Sequence, residues 1–149
     1  VPNLIRQRMR VLKYLPTKLY GFAEDEDGHQ VFFHIRAFNW GGFQTRPPPI
    51  VGEEVDVEFD PSGRHNGVAP KARNIYRLRE PTPSYGVVED FNERRGYGFI
   101  RTSDGRSHYL HRSEMTDGRL PMPGMEVLFF EGFRRGRTRA CYVTIGDHG

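Results

Sequence analysis

The tripeptide Tyr20-Gly21-Phe22 returns as Tyr97-Gly98-Phe99, 77 positions later. The same offset carries Val11 onto Val88, Asp27-Gly28 onto Asp104-Gly105, Phe32 onto Tyr109 and His34 onto His111, with no gap. An offset that holds over such a stretch marks an internal duplication, and the chain reads as two copies of one small unit. Each copy spaces its aromatic residues and a histidine two apart, which is how a β-strand displays one face.

Strand signals dominate both copies. Val11–Tyr14, Leu19–Ala23 and Gln30–His34 are rich in aromatic and branched residues. The run from Glu53 to Phe59 alternates, with Val55, Val57 and Phe59 on one face and Glu54, Asp56 and Glu58 on the other. Asp27-Gly28 and Asp104-Gly105 read as hairpin corners. No window has a helical period, although the segments after His34 and His111 each suit one short turn. Beyond Phe38 and Met115 the copies diverge. The first inserts a longer loop ending in Pro47-Pro48-Pro49, a stiff extended stretch. Gly52 and Gly124 resume the register before a fourth strand, and Ala72–Ile75 and Ala140–Val143 read as closing fifth strands. The expected fold is all-β: two tandem five-stranded OB-type barrels, the first over 1–79, a semi-rigid linker holding Pro81 and Pro83 over 80–84, and the second over 85–149.

Tyr20 and Phe22 share a face, as do Phe32 and His34. Pairing through the Asp27-Gly28 corner would bring four flat rings together, and Tyr97, Phe99, Tyr109 and His111 repeat the set. Successive unpaired bases stack on such platforms. Taken singly, such aromatics are more often core residues. Two features favour exposure: Gly21 and Gly98 hold the opposite face and fill no core, and Val31, Phe33 and Leu110 are available to point inward.

The second copy, from Gly86-Val87-Val88-Glu89-Asp90-Phe91-Asn92 to Gly96-Tyr97-Gly98-Phe99-Ile100, resembles the first nucleic-acid-binding motif of the cold-shock domain, G-K-V-K-W-F-N-x-x-K-G-F-G-F-I. His108-Tyr109-Leu110-His111 is similar to the second motif, V-F-V-H, and Val31-Phe32-Phe33-His34 is closer to it still. Gly42-Phe43-Gln44-Thr45 resembles the family's loop aromatic, G-F-K-T. The resemblance spans residues 8–78 and 84–146. It implies single-stranded RNA or DNA held across the second and third strands. By position it nominates Tyr14, Lys18, Tyr20, Phe22, Phe32, His34 and Phe43 in the first copy, with Lys13 beside them. In the second it nominates Phe91, Asn92, Arg95, Tyr97, Phe99, Tyr109 and His111. The family's exposed tryptophan is replaced by Lys13 and by Asp90, and the lysine before it by Leu12 and Glu89. Glu89 and Asp90 would oppose a phosphate backbone, so the second copy is expected to bind more weakly.

Charge agrees with that order. Residues 1–79 hold 12 Lys/Arg against 9 Asp/Glu, whereas residues 80–149 hold 10 of each. The cations are nearly all arginine, which stacks on bases and forks onto phosphates, though genome composition or heat adaptation also favours it. Arg134, Arg135, Arg137 and Arg139 form either a solvated basic turn or a phosphate holder. Cys141 is the lone cysteine, which excludes an intrachain disulfide and suits a reduced, cytoplasmic setting. No apolar run reaches membrane-span length and no secretory signal is visible. Val1 in place of Met is expected of a chain whose start has been trimmed.

Neither enzyme activity, nor a metal, nor a cofactor is expected. His108 and His111, three apart on a strand, point to opposite faces, and Glu24–Gly28 lacks the ligand spacing of a calcium loop. The expected partner is single-stranded nucleic acid, in RNA chaperoning or in control of transcription or translation. The rival expectation is a protein-interaction module docking on that machinery through Trp40, Phe43, the proline run and the acidic face of the fourth strand.

Overall fold

The computed structural model describes residues 3–64 and 67–146. By its internal packing the chain divides into two units, one running to Glu80 and one starting at Pro81. The first contains β1 (Ile5–Leu15), β2 (Tyr20–Glu24), β3 (Gln30–His34), a 3-10 turn (Ile35–Ala37), β4 (Phe38–Asn39), β5 (Glu54–Phe59) and β6 (Ala72–Arg77). They form a curled sheet in the order β3-β2-β1-β5-β6-β4. Its two sides meet where Phe32 bridges Lys71 and the Phe32 N–H donates to the Pro70 carbonyl at 2.9 Å. The second unit contains β7 (Pro83–Asn92), β8 (Tyr97–Arg101), β9 (Ser107–His111), a 3-10 turn (Arg112–Glu114), β10 (Glu126–Arg134) and β11 (Arg137–Ile145). This sheet is a closed five-stranded barrel, β10-β11-β9-β8-β7, sealed by parallel pairing of Tyr109 with Arg139. Among the described residues no helix is long and apolar enough to cross a membrane.

Both units have the all-β architecture the strand signals imply, but the first is a curled half-barrel sheet rather than the closed five-stranded barrel expected, and three further details differ. The first unit has an additional two-residue strand, β4, beside β6. Strand β1 starts six residues before Val11. Pro83 and Ser84, read as linker, are already strand residues of β7, opposite Phe130 and Phe129. Proline is tolerated there because it opens the strand.

Alternation explains the first unit's walls. Val55, Val57 and Phe59 turn inward to join Met9, Val11, Val31, Phe33 and Ile75 in the core. The acidic residues between them face β1, which sets Arg6 opposite Glu58, Arg8 opposite Asp56 and Arg10 opposite Glu54. Arg8 Nε donates to Asp56 at 2.7 Å, and Arg10 donates to Glu54 at 3.0 Å. The hydrogen bond from Arg8 holds the Asp56 carboxyl below the usual carboxylate range. Exposed pairs of this kind add little stability, but they leave no free acidic face on the fourth strand.

A bulge in each first strand sets up the outer surface. In β1 the register jumps from Val11↔Ala23 to Lys13↔Phe22, leaving Leu12 extra; in β7 it jumps from Val88↔Ile100 to Asp90↔Phe99, leaving Glu89 extra. The bulged strand bends across its neighbour. A Cβ on Gly21 would lie 2.3 Å from the Lys13 carbonyl oxygen, and one on Gly98 would lie 2.0 Å from that of Asp90. The first strand of each unit thus occupies the space behind the platform glycines, which leaves no room there for a side chain.

The longer loop of the first unit is an internal structural element. Pro47, Pro49 and Ile50 are buried. The buried guanidinium of Arg77 donates to the carbonyls of Pro47 at 2.8 Å and Pro48 at 3.0 Å, and grips both Glu53 oxygens at 2.8 and 2.7 Å. It also lies 5.0 Å from the Phe38 ring centre and 5.5 Å from that of Trp40.

The second core is built round Ile100, Leu110, Val127 and Phe129, and it contains a histidine. His108 stands where the first unit has Val31. It is fully buried 5.1 Å from Phe129, and neither ring nitrogen has a hydrogen-bond partner among the described residues. Burial pushes its pKa down, opposed by the charge of Glu131 on β10; Arg106 and Asp104 of the β8–β9 turn act in opposite senses. The folded unit thus prefers neutral His108, while the unfolded chain takes up a proton near pH ~6.5. Stability contributed by this group is fully present above that pH and is lost as pH falls through it, by at most about 1.4 kcal/mol per pH unit. His108→Leu, which removes the unpaired nitrogens, is expected to raise the second unit's stability at neutral pH by about 1–3 kcal/mol. Thermal unfolding near pH 7.5 and pH 5.5 checks this: equal acid sensitivity in wild type and variant would contradict it.

Candidate nucleic-acid interface

Strands β2 and β3 pair Tyr20 with His34 and Phe22 with Phe32. Their outward rings form one half-buried cluster. Tyr20 lies 5.3 Å from Phe32, and Phe22 meets Phe32 edge-on at 5.6 Å. The ammonium of Lys13 sits 5.1 Å over the Phe22 ring. His34 Nδ1 accepts the Arg36 N–H at 3.1 Å, capping the 3-10 turn, so the neutral imidazole carries its proton on outward-facing Nε2.

Strands β8 and β9 repeat the design. Tyr97 pairs with His111 and Phe99 with Tyr109; Tyr97 and Tyr109 stack at 5.8 Å, and Phe99 meets Tyr109 edge-on at 6.1 Å. His111 Nδ1 accepts the Ser113 N–H at 3.1 Å. The Arg139 guanidinium lies 5.7 Å over Tyr109. Where Lys13 covers Phe22, however, the second unit sets Asp90 opposite Phe99.

Several nominated residues stand elsewhere. The bulge inverts the alternation after Val11 and Val88, so Lys13 turns outward while Tyr14 turns in. The Tyr14 ring lies parallel to that of core residue Phe33, 6.2 Å away, and burial pushes its phenol pKa up. Phe91 likewise packs on the second core, leaving one edge in a shallow cleft with Asp90, Asn92, Tyr97 and Phe99. The Asn92 side-chain Oδ1 accepts the Arg95 N–H at 3.1 Å and holds the turn before β8. Lys18 and Arg95 are exposed in the two equivalent turns. Phe43 rides on the loop, its ring against Gly41.

Glu89 is not a free charge, because Arg101 ion-pairs with it; of the two acids expected to repel a phosphate backbone, Asp90 is the one beside the rings. Asp25 and Asp27, of the segment discounted as a calcium loop, bring one atom each within 4.8 Å of one another and of His29. Asp25 explains the proximity, since it accepts the N–H groups of Asp27 and His29 at 2.9 Å each.

Cations are sorted by face. Arg6, Arg8, Arg10, Arg77 and Arg79 pair with carboxylates behind the first platform. Lys13, Lys18, Arg36, Lys71 and Arg73 enter no ion pair among the described residues, and all are exposed. Lys71 is the residue that sequence reasoning missed. It bridges Phe32, just as Arg139 pairs with Tyr109. The signal was the offset of 68 between the closing strands, which carries Lys71 onto Arg139.

No family model matches the sequence. Over 72 residues the chain is 36% identical to cold shock protein CspB of Bacillus caldolyticus, an alignment covering 48% of this chain and 98% of that protein. The chain belongs to the cold-shock protein family. Among solved structures, the Drosophila Unr CSD456 chain aligns with TM-score 0.43 and 18% identity, covering 97% of this chain; this chain spans 63% of its length. Within the cold-shock pattern, the glycine before the first platform aromatic stands as Gly96 in the second unit and as Leu19 in the first. Both take a left-handed backbone, φ 76° and 61°, and both carbonyls accept the N–H that opens the following 3-10 turn. For leucine that conformation costs about 1–2 kcal/mol.

Proposed function

We propose that this cold-shock protein binds single-stranded RNA or DNA, stacking bases on Tyr20, Phe22, Phe32 and His34 and on Tyr97, Phe99, Tyr109 and His111, with phosphates met by the unpaired cations. The observation that carries the reading is the sorting of charge. Cations behind the first platform are neutralised by carboxylates, while Lys13 and Lys71 flank its rings with no ion partner among the described residues. Stacking is tolerant of sequence, which suits a cytoplasmic role in RNA chaperoning or in regulation of transcription or translation. The docking alternative loses two of its contacts, because the proline run is buried and the acidic face of β5 is paired to β1.

Titration with a labelled oligopyrimidine at several salt concentrations tests the proposal. For about 3 to 6 phosphates neutralised, log affinity against log salt should fall with a slope of about −2 to −4. A flat dependence, or preference for duplex over single strand, would count against it.

A further inference from the structure

Beside the first platform lies a cleft that the stacking rings do not account for. It is walled by His34, Arg36 and Ala37 at the end of β3 and by Lys71, Ala72 and Arg73 at the start of β6. Strands β3 and β6 share no ladder among the described residues; they meet at the Phe32–Lys71 bridge just before β6. Lys71 and Arg73, two apart with buried Ala72 between them, project from the same exposed side of β6. Arg36 reaches the seam from the 3-10 turn. None of the three forms an ion pair among the described residues, and Arg73 acts only at longer range on Glu58, whose carboxylate is taken by Tyr76 and Asn74. With Nδ1 committed to the turn, His34 offers Nε2–H as a donor beside them. Four groups thus present donors around one open seam, three of them full positive charges with no ion-pair partner among the described residues.

The second unit has dismantled this cleft. The residues standing at the positions of Arg36, Ala37 and Arg73 are Ser113, Glu114 and buried Cys141. Glu114 is itself half-buried, its pKa raised by burial and lowered in part by Arg139. Of the basic set only Arg139 and His111 persist.

We infer that the seam of the first unit takes the phosphodiester backbone of a single strand where it leaves the platform, so that this unit's footprint runs past its rings into the Arg36–Lys71–Arg73 cleft. The inference rests on the proposed single-strand binding. Phe32 is the hinge of the path: its ring belongs to the platform, and its backbone is bridged to Lys71 at the mouth of the cleft. A base stacked there puts its own phosphate within reach of Lys71 and the next one at Arg36 and Arg73.

The test combines Arg36→Gln with Arg73→Gln, both exposed and outside the core, in a Tyr109→Ala background that weakens the second platform further. Oligothymidylates of about 4 and about 8 nucleotides are compared, within the span one OB barrel covers. The longer strand is expected to lose several-fold in affinity, and its salt slope should become shallower by about 1.4, or about 0.7 for each lost cation. The shorter strand, confined to the rings, should be unaffected. An unchanged slope on the longer strand would overturn the inference and leave the platform reading intact. Equal loss on both strands would reduce the cleft to a general field and overturn it too. Inorganic pyrophosphate should compete for the cleft and lower the longer strand's affinity towards that of the shorter; no competition at matched ionic strength would overturn the inference. Failure of the wild-type protein to bind either length would bring down both proposals.

Discussion

Replacing Arg77 with alanine should cost the first barrel about 3–5 kcal/mol, the penalty for removing one partner of a buried ion pair. Its side chain is fully enclosed. Its loss strands the Glu53 carboxylate and the Pro47 and Pro48 carbonyls together, and takes the cation from beside Phe38 and Trp40. Lysine should rescue little, since a point charge cannot grip both Glu53 oxygens and two carbonyls as the planar fork does. The second unit shows what replaces the pair. Met125 stands at the position of Glu53 and Ile145 at that of Arg77, both packed against the core. Copying that solution, with Arg77→Ile and Glu53→Met together, should recover much of the loss, because a buried ion pair and a well-packed apolar pair are often close in net stability. In calorimetry the first unit's transition should fall by more than about 12 °C in Arg77→Ala while the second stays put. A fall of less than about 5 °C would show the guanidinium to be dispensable.

That pair also shows where sequence reading stops. Alternation in β5 displays its inner and outer faces plainly, and β1 displays Arg6, Arg8 and Arg10 with the same period. Periodicity reports faces, not partners. Nothing in the two segments says that these acids and bases neutralise each other, so the acidic face looked free. Arg77 is likewise one arginine among many until the chain folds. The platforms were legible because their rings lie on one hairpin, paired through a glycine corner with φ near 85° in both copies. The strand before each hairpin was not. One extra residue, Leu12 or Glu89, inverts the phase of everything after it, sending Lys13 outward and Tyr14 inward. Lys71 was hidden for a different reason: loop shortening moves the repeat offset from 77 to 68, so the duplication that pairs Phe32 with Tyr109 does not pair their basic neighbours.

Phe32→Ala should weaken binding of a short single strand by roughly 5- to 150-fold, the equivalent of losing one stacked base worth about 1–3 kcal/mol. Tyr109→Ala should cost under about 1 kcal/mol, although the two rings hold the same place in their barrels. The difference comes from what surrounds them. Phe32 touches Tyr20 and Phe22, with Lys13 over Phe22 and Lys71 at its own backbone. Tyr109 has the same aromatic neighbours, but Asp90 replaces the cation opposite Phe99, and Glu114 stands where Ala37 does. Arg139 over Tyr109 pulls the other way, and the pairing of Glu89 with Arg101 removes part of the repulsion. Asp90 beside Phe99 and Glu114 beside Arg139 still leave the second platform the poorer host for a phosphate backbone, although Arg95 is exposed there as Lys18 is in the first. A strand long enough to reach both barrels would blur the contrast, because tethering raises the effective concentration at a weak second site. The comparison therefore belongs on an oligonucleotide of about 6 nucleotides, near the footprint of a single barrel. Both variants remove half-buried rings from outside the cores, so unaltered unfolding midpoints should accompany the binding data. If Tyr109→Ala proves the more damaging, Arg139 and its hairpin neighbours outweigh Asp90 and Glu114, and the order of the two sites is reversed. If neither variant loses affinity while both stay folded, the rings are not stacking surfaces.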